Sequence, residues 1–211
     1  MTAQVGKRLR SDARDNRDRI LLVARLAFAA DGLDVPIREV ARRAGVGVAT
    51  VYRHFQTKEA LLEEAFAEQM ASCSVLVEEG LAADDPWSGF RLVIERLMEA
   101  HALDRGFARA FTSRLSQAPD FAADRDRALR MLHELVRRAK ATGSLRADFV
   151  LEDVCLALMA NEGIRAETPG MRVAASRRFA ALMIQSFQAD PVSAPLPPAV
   201  RLPLSFEAFA S

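Results

Sequence analysis

The sequence predicts an all-α protein in which a small N-terminal three-helix module precedes a larger helical domain. Three observations carry this. Apolar residues recur at three- and four-residue spacing through most of the 211 residues, while strict alternation over a strand length is hard to find. Hydrophobic residues make up 50% and charged ones 27%, a soluble globular balance with enough chain to bury a sizeable core. No apolar run approaches the ~20 residues of a membrane span, and the charged start MTAQVGKRLRSDARDNRDR leads into no signal-peptide stretch, so a cytoplasmic location is expected. Cys73, Cys155 and three histidines build neither a disulfide framework nor a zinc site. Packing must therefore supply the stability, and neither a metal nor a cofactor is expected.

The elements follow in order. Residues 1–14 read as a flexible basic arm. From Asp15 to Ala30, the residues Ile20, Val23, Ala24, Ala27 and Phe28 make one apolar helical face, and Asp31-Gly32 stops the helix. Asp34-Val35-Pro36 is a helix start, and a short helix from Ile37 to Ala44 turns its Ile37, Val40, Ala41 and Ala44 inward. Gly45-Val46-Gly47 ends it within three residues. The next short helix, Val48 to Phe55, places Val51 and Phe55 on one face, and two short helices around a glycine turn form a helix-turn-helix. The first domain is thus 15–57. Lys58 then opens a long helix toward Leu81, the start of a second domain over 58–189. Further helices are expected over Trp87–Leu103, Phe107–Leu115, Asp124–Ala141, Leu151–Glu162 and a last stretch through Phe179 and Phe187. The tail 190–211 is proline-rich and reads as extended.

The net charge of +1 hides an asymmetry. Residues 1–58 hold twelve basic against six acidic side chains, +6, which leaves −5 for the remainder. A basic first quarter on an acidic body is the pattern of a nucleic-acid-binding module attached to a domain with another task. A helix laid in the major groove needs a small-residue N-terminal end so that its backbone approaches the bases, and Gly47, Val48, Ala49 and Thr50 are all small. Arg53 and Arg38 are able to donate bidentately to guanine, while Val48, Ala49 and the Thr50 methyl suit thymine methyl groups. Lys58, at a helix N-terminus, sits where free N–H groups also favour an anion.

Residues 37–62, IREVARRAGVGVATVYRHFQTKEALL, resemble the DNA-binding region of the TetR/AcrR family of bacterial one-component regulators. The likeness rests on Ala41-x-x-Ala44-Gly45-Val46, on Thr50-Val51-Tyr52-x-His54-Phe55, and on Thr57-Lys58-x-x-Leu61. More weakly, GSLRADFVLEDV at 143–154 and RRFAALMIQSF near the C-terminus look like family segments. Gly47 stands where many members carry Ser and offers no hydroxyl to a phosphate.

The resemblance implies a homeodomain-like helix-turn-helix, with Thr50, Tyr52, His54 and Lys58 as the phosphate-contacting set. It implies a small-molecule effector domain, for which Phe66, Met70, Phe90, Met98, His101, Phe107, Phe111 and Met131 are candidate lining residues, with Asn161 and Arg165 as further polar candidates. It also implies a homodimer through the last two helices, with Leu151, Val154, Leu158, Phe179, Leu182, Met183 and Phe187 as candidate interface residues. The expected function is a repressor that binds a palindromic double-stranded operator and is released by a small molecule; the alternative is a helical small-molecule-binding protein without an operator. No catalytic constellation is evident, and no enzyme activity is expected.

Overall fold

The structure, a computed structural model, describes the backbone of residues 2–112 and 119–189 and the side chains of 15–108 and 126–189. The side chains of the basic arm and of Phe111, and the whole tail 190–211, lie outside the described residues. The described residues form the helices α1 (Thr2–Asp31), α2 (Ile37–Ala44), α3 (Val48–His54), α4 (Lys58–Leu81), α5 (Pro86–Leu103), α6 (Arg105–Thr112), α7 (Pro119–Ala141), α8 (Leu151–Glu162) and α9 (Pro169–Phe187), and no strand. The protein is all-α, as its periodicity predicts. Two compact units divide the chain, Met1–Glu68 and Gln69–Ser211, and α4 contributes to both.

The segment expected as a flexible arm is helical from Thr2 onward and continuous with α1. It contains no proline, so nothing in its backbone stops a helix that α1 extends. Ile20, Ala24, Ala27 and Phe28 form the buried stripe of α1. The inward residues of α2 are those its spacing requires: Ile37, Val40, Ala41 and Ala44. Pro36 precedes that helix as its N-cap, with φ −69° and ψ 148°, rather than occupying its first turn. At the other end Gly45 adopts φ 66°, which a side chain disfavours, and this lets Val46 N–H reach the Ala41 carbonyl at 3.0 Å and Gly45 N–H reach that of Arg42 at 3.2 Å. This double bond ends α2 and aims the chain into α3.

The N-terminal unit does not close at residue 57. Leu61, Leu62, Ala65 and Phe66 of α4 are buried, and the Phe66 ring lies 6.4 Å from that of Phe28. The first turns of α4 thus complete the core begun by α1 to α3, which is why the compact unit runs to Glu68. Phe66, expected to line an effector cavity, is a core residue of this unit instead.

In the second unit α5 is central and packs against α6, α7, α8 and α9. Its start is set by Asp85, whose carboxylate accepts from Ser88 N–H at 2.9 Å, with Pro86 in the first turn. Thr168 and Pro169 do the same for α9. Phe90 sits among Trp87, Phe149 and Phe187, with ring centroids 4.9 to 6.3 Å apart. A single antiparallel bridge, Leu145 with Gln188, ties the end of α9 to the connection between α7 and α8. The Cys73 and Cys155 thiols are buried and pushed up to about 12, chiefly by desolvation, which suits inert core groups.

Two glycines set the approach of α4 and α5. A Cβ on Gly89 would stand 2.1 Å from the Gly80 carbonyl oxygen, and one on Gly80 would stand 2.4 Å from a Val93 methyl and 2.9 Å from the Gly89 oxygen. The obstacle is backbone and cannot swing aside. Gly89→Ala should therefore lower stability in urea denaturation by about 1 to 3 kcal/mol, outweighing the ~1 kcal/mol that alanine gains from helix propensity. A variant as stable as the wild type would show that the helices separate freely.

His101 on α5 is 1% exposed, with its ring 5.6 Å from that of Phe107, and burial pushes its pKa down to about 4. The unfolded chain takes the proton near 6.5 and the folded chain only near 4. The neutral imidazole therefore contributes stability that is complete above pH 6.5 and lost as pH falls toward 4, on the order of 3 kcal/mol. Denaturation at a series of pH values should show this loss, and His101→Leu should flatten it.

Candidate nucleic-acid interface

Helix α3 has two contrasting sides. Val51 and Phe55 are buried, so the intervening positions must face outward. Gly47, Val48, Ala49, Tyr52 and Arg53 are exposed, and Thr50 and His54 are half-buried. Gly47 is the N-cap, at φ −71° and ψ 148°, without a side chain to offer the helix. The small-residue entrance to α3 is therefore bare, which close approach to a base edge requires. Arg38, on the exposed side of α2, and Lys58, half-buried at the start of α4, carry no ion pair among the described residues. Thr57 accepts from Ala60 N–H at 3.0 Å and caps α4, which leaves Lys58 in its first turn. The residues expected to touch DNA thus lie on α2, on α3 and at the start of α4, within one compact unit.

Arg17, Arg25, Arg42 and Arg43 of this unit are engaged with carboxylates. Glu39 accepts from Arg42 at 2.7 and 2.8 Å and from Arg43 at 2.7 Å, and Arg43 also pairs with Asp31 at 2.7 Å. Those two guanidinium groups hold the Glu39 carboxyl down at about 2. Arg17 pairs with Glu64 and lies 5.4 Å over the Phe55 ring, and Arg25 meets Glu68 at 3.4 Å. The charge reading changes accordingly. Across residues 1–68 there are twelve basic and ten acidic side chains, a net +2 rather than the +6 obtained by stopping at Lys58. The acidic first turns of α4 belong to the module and neutralise α1.

The effector and dimer residues scatter more. Met70, Met98, His101 and Phe107 are buried in the second unit, Met131 is half-buried, and Phe90 belongs to the aromatic cluster. Arg165 is exposed. Asn161, 2% exposed, donates through Nδ2 to the Met98 carbonyl at 2.9 Å, and the Ser176 hydroxyl donates to the same oxygen at 3.0 Å. Gln69, which sequence reasoning did not single out, donates through Nε2 to Asp104 at 3.3 Å. Because each amide nitrogen faces an obligate acceptor, the orientation of both amides is determined. Their oxygens, Gln69 Oε1 and Asn161 Oδ1, are buried with no donor among the described residues.

Of the expected dimer residues, Leu151, Val154, Leu158 and Phe187 are buried in their own chain. Phe179 and Met183 are half-buried, and Leu182 is 50% exposed. The exposed apolar residues of α8 are Leu156 and Met159. They form a second stripe that spacing alone could have flagged, although periodicity does not say which of two stripes meets the chain's own core. No group of three His, Cys, Asp or Glu among the described residues is placed to hold a metal, and no described helix is long and apolar enough to cross a membrane.

Residues 20–65 match the family model for bacterial regulatory proteins of the tetR family. An HTH-type transcriptional regulator of Staphylococcus aureus is 37% identical over 51 residues, 24% of this chain, and the chain spans only 28% of the length of that curated relative. Among solved structures, a TetR transcriptional regulator from Streptomyces coelicolor is 29% identical with a TM-score of 0.52, over 82% of this chain and 98% of that one. The TetR-family regulator PfmR from Thermus thermophilus is 26% identical with a TM-score of 0.59, over 80% and 95%.

If Lys58 and Tyr52 contact phosphates, as the resemblance implies, Lys58→Ala and Tyr52→Phe should weaken binding to cognate and unrelated duplexes by similar factors, because phosphate contacts carry no base information. Fluorescence anisotropy across a salt series should show the slope of log K against log salt reduced by about 1 for Lys58→Ala. A changed sequence preference would remove these residues from the phosphate set.

Proposed function

The chain belongs to the TetR family of bacterial regulatory proteins, and from that membership we propose that it is a sequence-specific, DNA-binding regulator of transcription, a cytoplasmic homodimeric repressor released from its operator by a small molecule. The observation that carries the reading is the bare outer side of α3. A seven-residue helix buries Val51, with Phe55 buried at its C-cap, and leaves its small entrance, Tyr52 and Arg53 in solvent, with Arg38 and Lys58 in the same unit carrying no ion pair among the described residues. Arg38 and Arg53 read base edges, and Tyr52, His54 and Lys58 hold the backbone. Selection from a random duplex pool tests this. Enrichment of one palindromic sequence is expected, and a protein that enriches none is the helical ligand-binding protein without an operator.

Dimerisation follows from the need for two reading heads about 34 Å apart on successive major grooves. The large apolar residues left in solvent on α8 and α9, Leu156, Met159, Met171 and Leu182, support a second copy as their cover. An effector seated in the second unit acts only through its different affinities for the DNA-binding and the released states, and operator must weaken its binding by the same factor. The buried acceptors Gln69 Oε1 and Asn161 Oδ1, with no donor among the described residues, support a ligand that brings hydrogen-bond donors. The neutral His101 beside Phe107 offers no cation to an acidic one.

Leu182→Glu should give a monomer in sedimentation velocity, because a carboxylate placed in an apolar interface is costly to bury. Its affinity for a half-site should be unchanged and its affinity for the full palindrome lowered by 10-fold or more, on the order of the avidity lost. An intact dimer would move the interface elsewhere.

A further inference from the structure

Thr50 and Arg53 lie three residues apart on α3, on one side of the helix, and the Arg53 Nη2 donates to the Thr50 hydroxyl oxygen at 2.9 Å. Thr50 suits this task. Its β-branched side chain is stiff at χ1, and its backbone N–H is held by the Gly47 carbonyl at 2.9 Å, so its oxygen is a fixed point at the helix entrance.

The bond differs in kind from the carboxylate pairs of Arg17, Arg25, Arg42 and Arg43 and shares its neutral acceptor with that of Arg19 on α1, which donates to the Asn16 amide oxygen at 2.6 Å. Arg42 and Arg43 donate to the Glu39 carboxylate, Arg17 pairs with Glu64 and Arg25 with Glu68. A carboxylate orients a guanidinium but cancels its charge and fills its fork. A hydroxyl orients it and leaves the charge intact, with four of the five N–H donors free. An unrestrained arginine on an exposed helix carries rotamer entropy that readout of a base would have to remove. The hydroxyl removes part of it beforehand.

We propose that Thr50 is a positioning residue for sequence readout, whose hydroxyl holds the Arg53 guanidinium on the exposed side of α3 so that its free N–H edge meets a guanine in the major groove. This rests on the DNA-binding reading above and reassigns Thr50, which the family resemblance places with the phosphate contacts. The two roles have different signatures. A phosphate contact strengthens every duplex alike, whereas a positioning contact acts on one base position and only while Arg53 is present.

The test is selection from a random duplex pool with the full-length wild type, Thr50→Ser, Thr50→Val, Arg53→Ala and the Thr50→Val/Arg53→Ala double variant, with far-UV circular dichroism confirming that each is folded. The wild type should enrich a guanine at one position of each half-site, and Arg53→Ala should lose it. Thr50→Ser keeps the hydroxyl and should keep the preference. Thr50→Val should reduce it by roughly tenfold, within what one bidentate arginine discriminates, while affinity for an unrelated duplex changes less than about twofold. In the Arg53→Ala background, Thr50→Val should alter no base preference. Equal weakening of cognate and unrelated duplexes by Thr50→Val, with the guanine preference intact, overturns the proposal and returns Thr50 to the phosphate set. Failure of the wild type to enrich any sequence overturns the DNA-binding reading and this proposal with it.

Discussion

A seven-residue helix has almost no stability of its own in water, because nucleation costs more than so few hydrogen bonds return. The N-terminal unit depends on how α3 is nevertheless held. Only one of its own side chains, Val51, is spent on that task, or two with the C-cap residue Phe55: both go into the core, Gly45 bends the chain into α3, and Arg17 lies over the Phe55 ring. The remaining positions are released for solvent. The same constraint explains the involvement of α4, since three short faces do not enclose a core, and Leu61, Leu62, Ala65 and Phe66 close it.

Electrostatics in this unit are arranged by cancellation as much as by accumulation. Arg17 and Arg25 of α1 pair with Glu64 and Glu68 of α4, and Arg42 and Arg43 of α2 with Glu39 and Asp31, while the exposed Arg38, Arg53 and half-buried Lys58 carry no ion pair among the described residues. Surface pairs of this kind contribute little stability each. Their effect is selective: they quench positive charge away from α3 and leave it where small residues open the way to a base. The unit's modest +2 is thus compatible with nucleic-acid binding in a way that total charge alone does not reveal.

In the second unit the organising element is α5, which meets four other helices and has its glycine backbone against that of α4. Its C-terminal turns collect polar groups that an all-apolar core would lack: His101, the Met98 carbonyl shared by Asn161 and Ser176, and the Ala102 carbonyl that accepts from Arg172 at 2.7 Å. Most of these are satisfied. The Gln69 and Asn161 amide oxygens, which have no donor among the described residues, are exceptions at a place where core packing would not ordinarily tolerate them.

Whereas α1, α6 and α7 begin earlier than their spacing suggests, the helical class, the boundaries of α2, α3, α4 and α8 and the outward residues of α3 were legible in the sequence by itself. They follow from local rules: the 3.6-residue period, glycine and proline at helix ends, and a complete motif between Ile37 and Leu62. Tertiary structure alone decided which apolar stripe meets which neighbour. Phe66 joined Phe28 rather than a cavity, Leu151, Val154, Leu158 and Phe187 turned inward while Leu156 and Met159 turned out, and Glu64 and Glu68 reached back to the arginines of α1. Periodicity reports that a helix has an apolar side but not the identity of what covers it. That identity is set by contacts between residues far apart in the chain, and those exist only once the helices have packed.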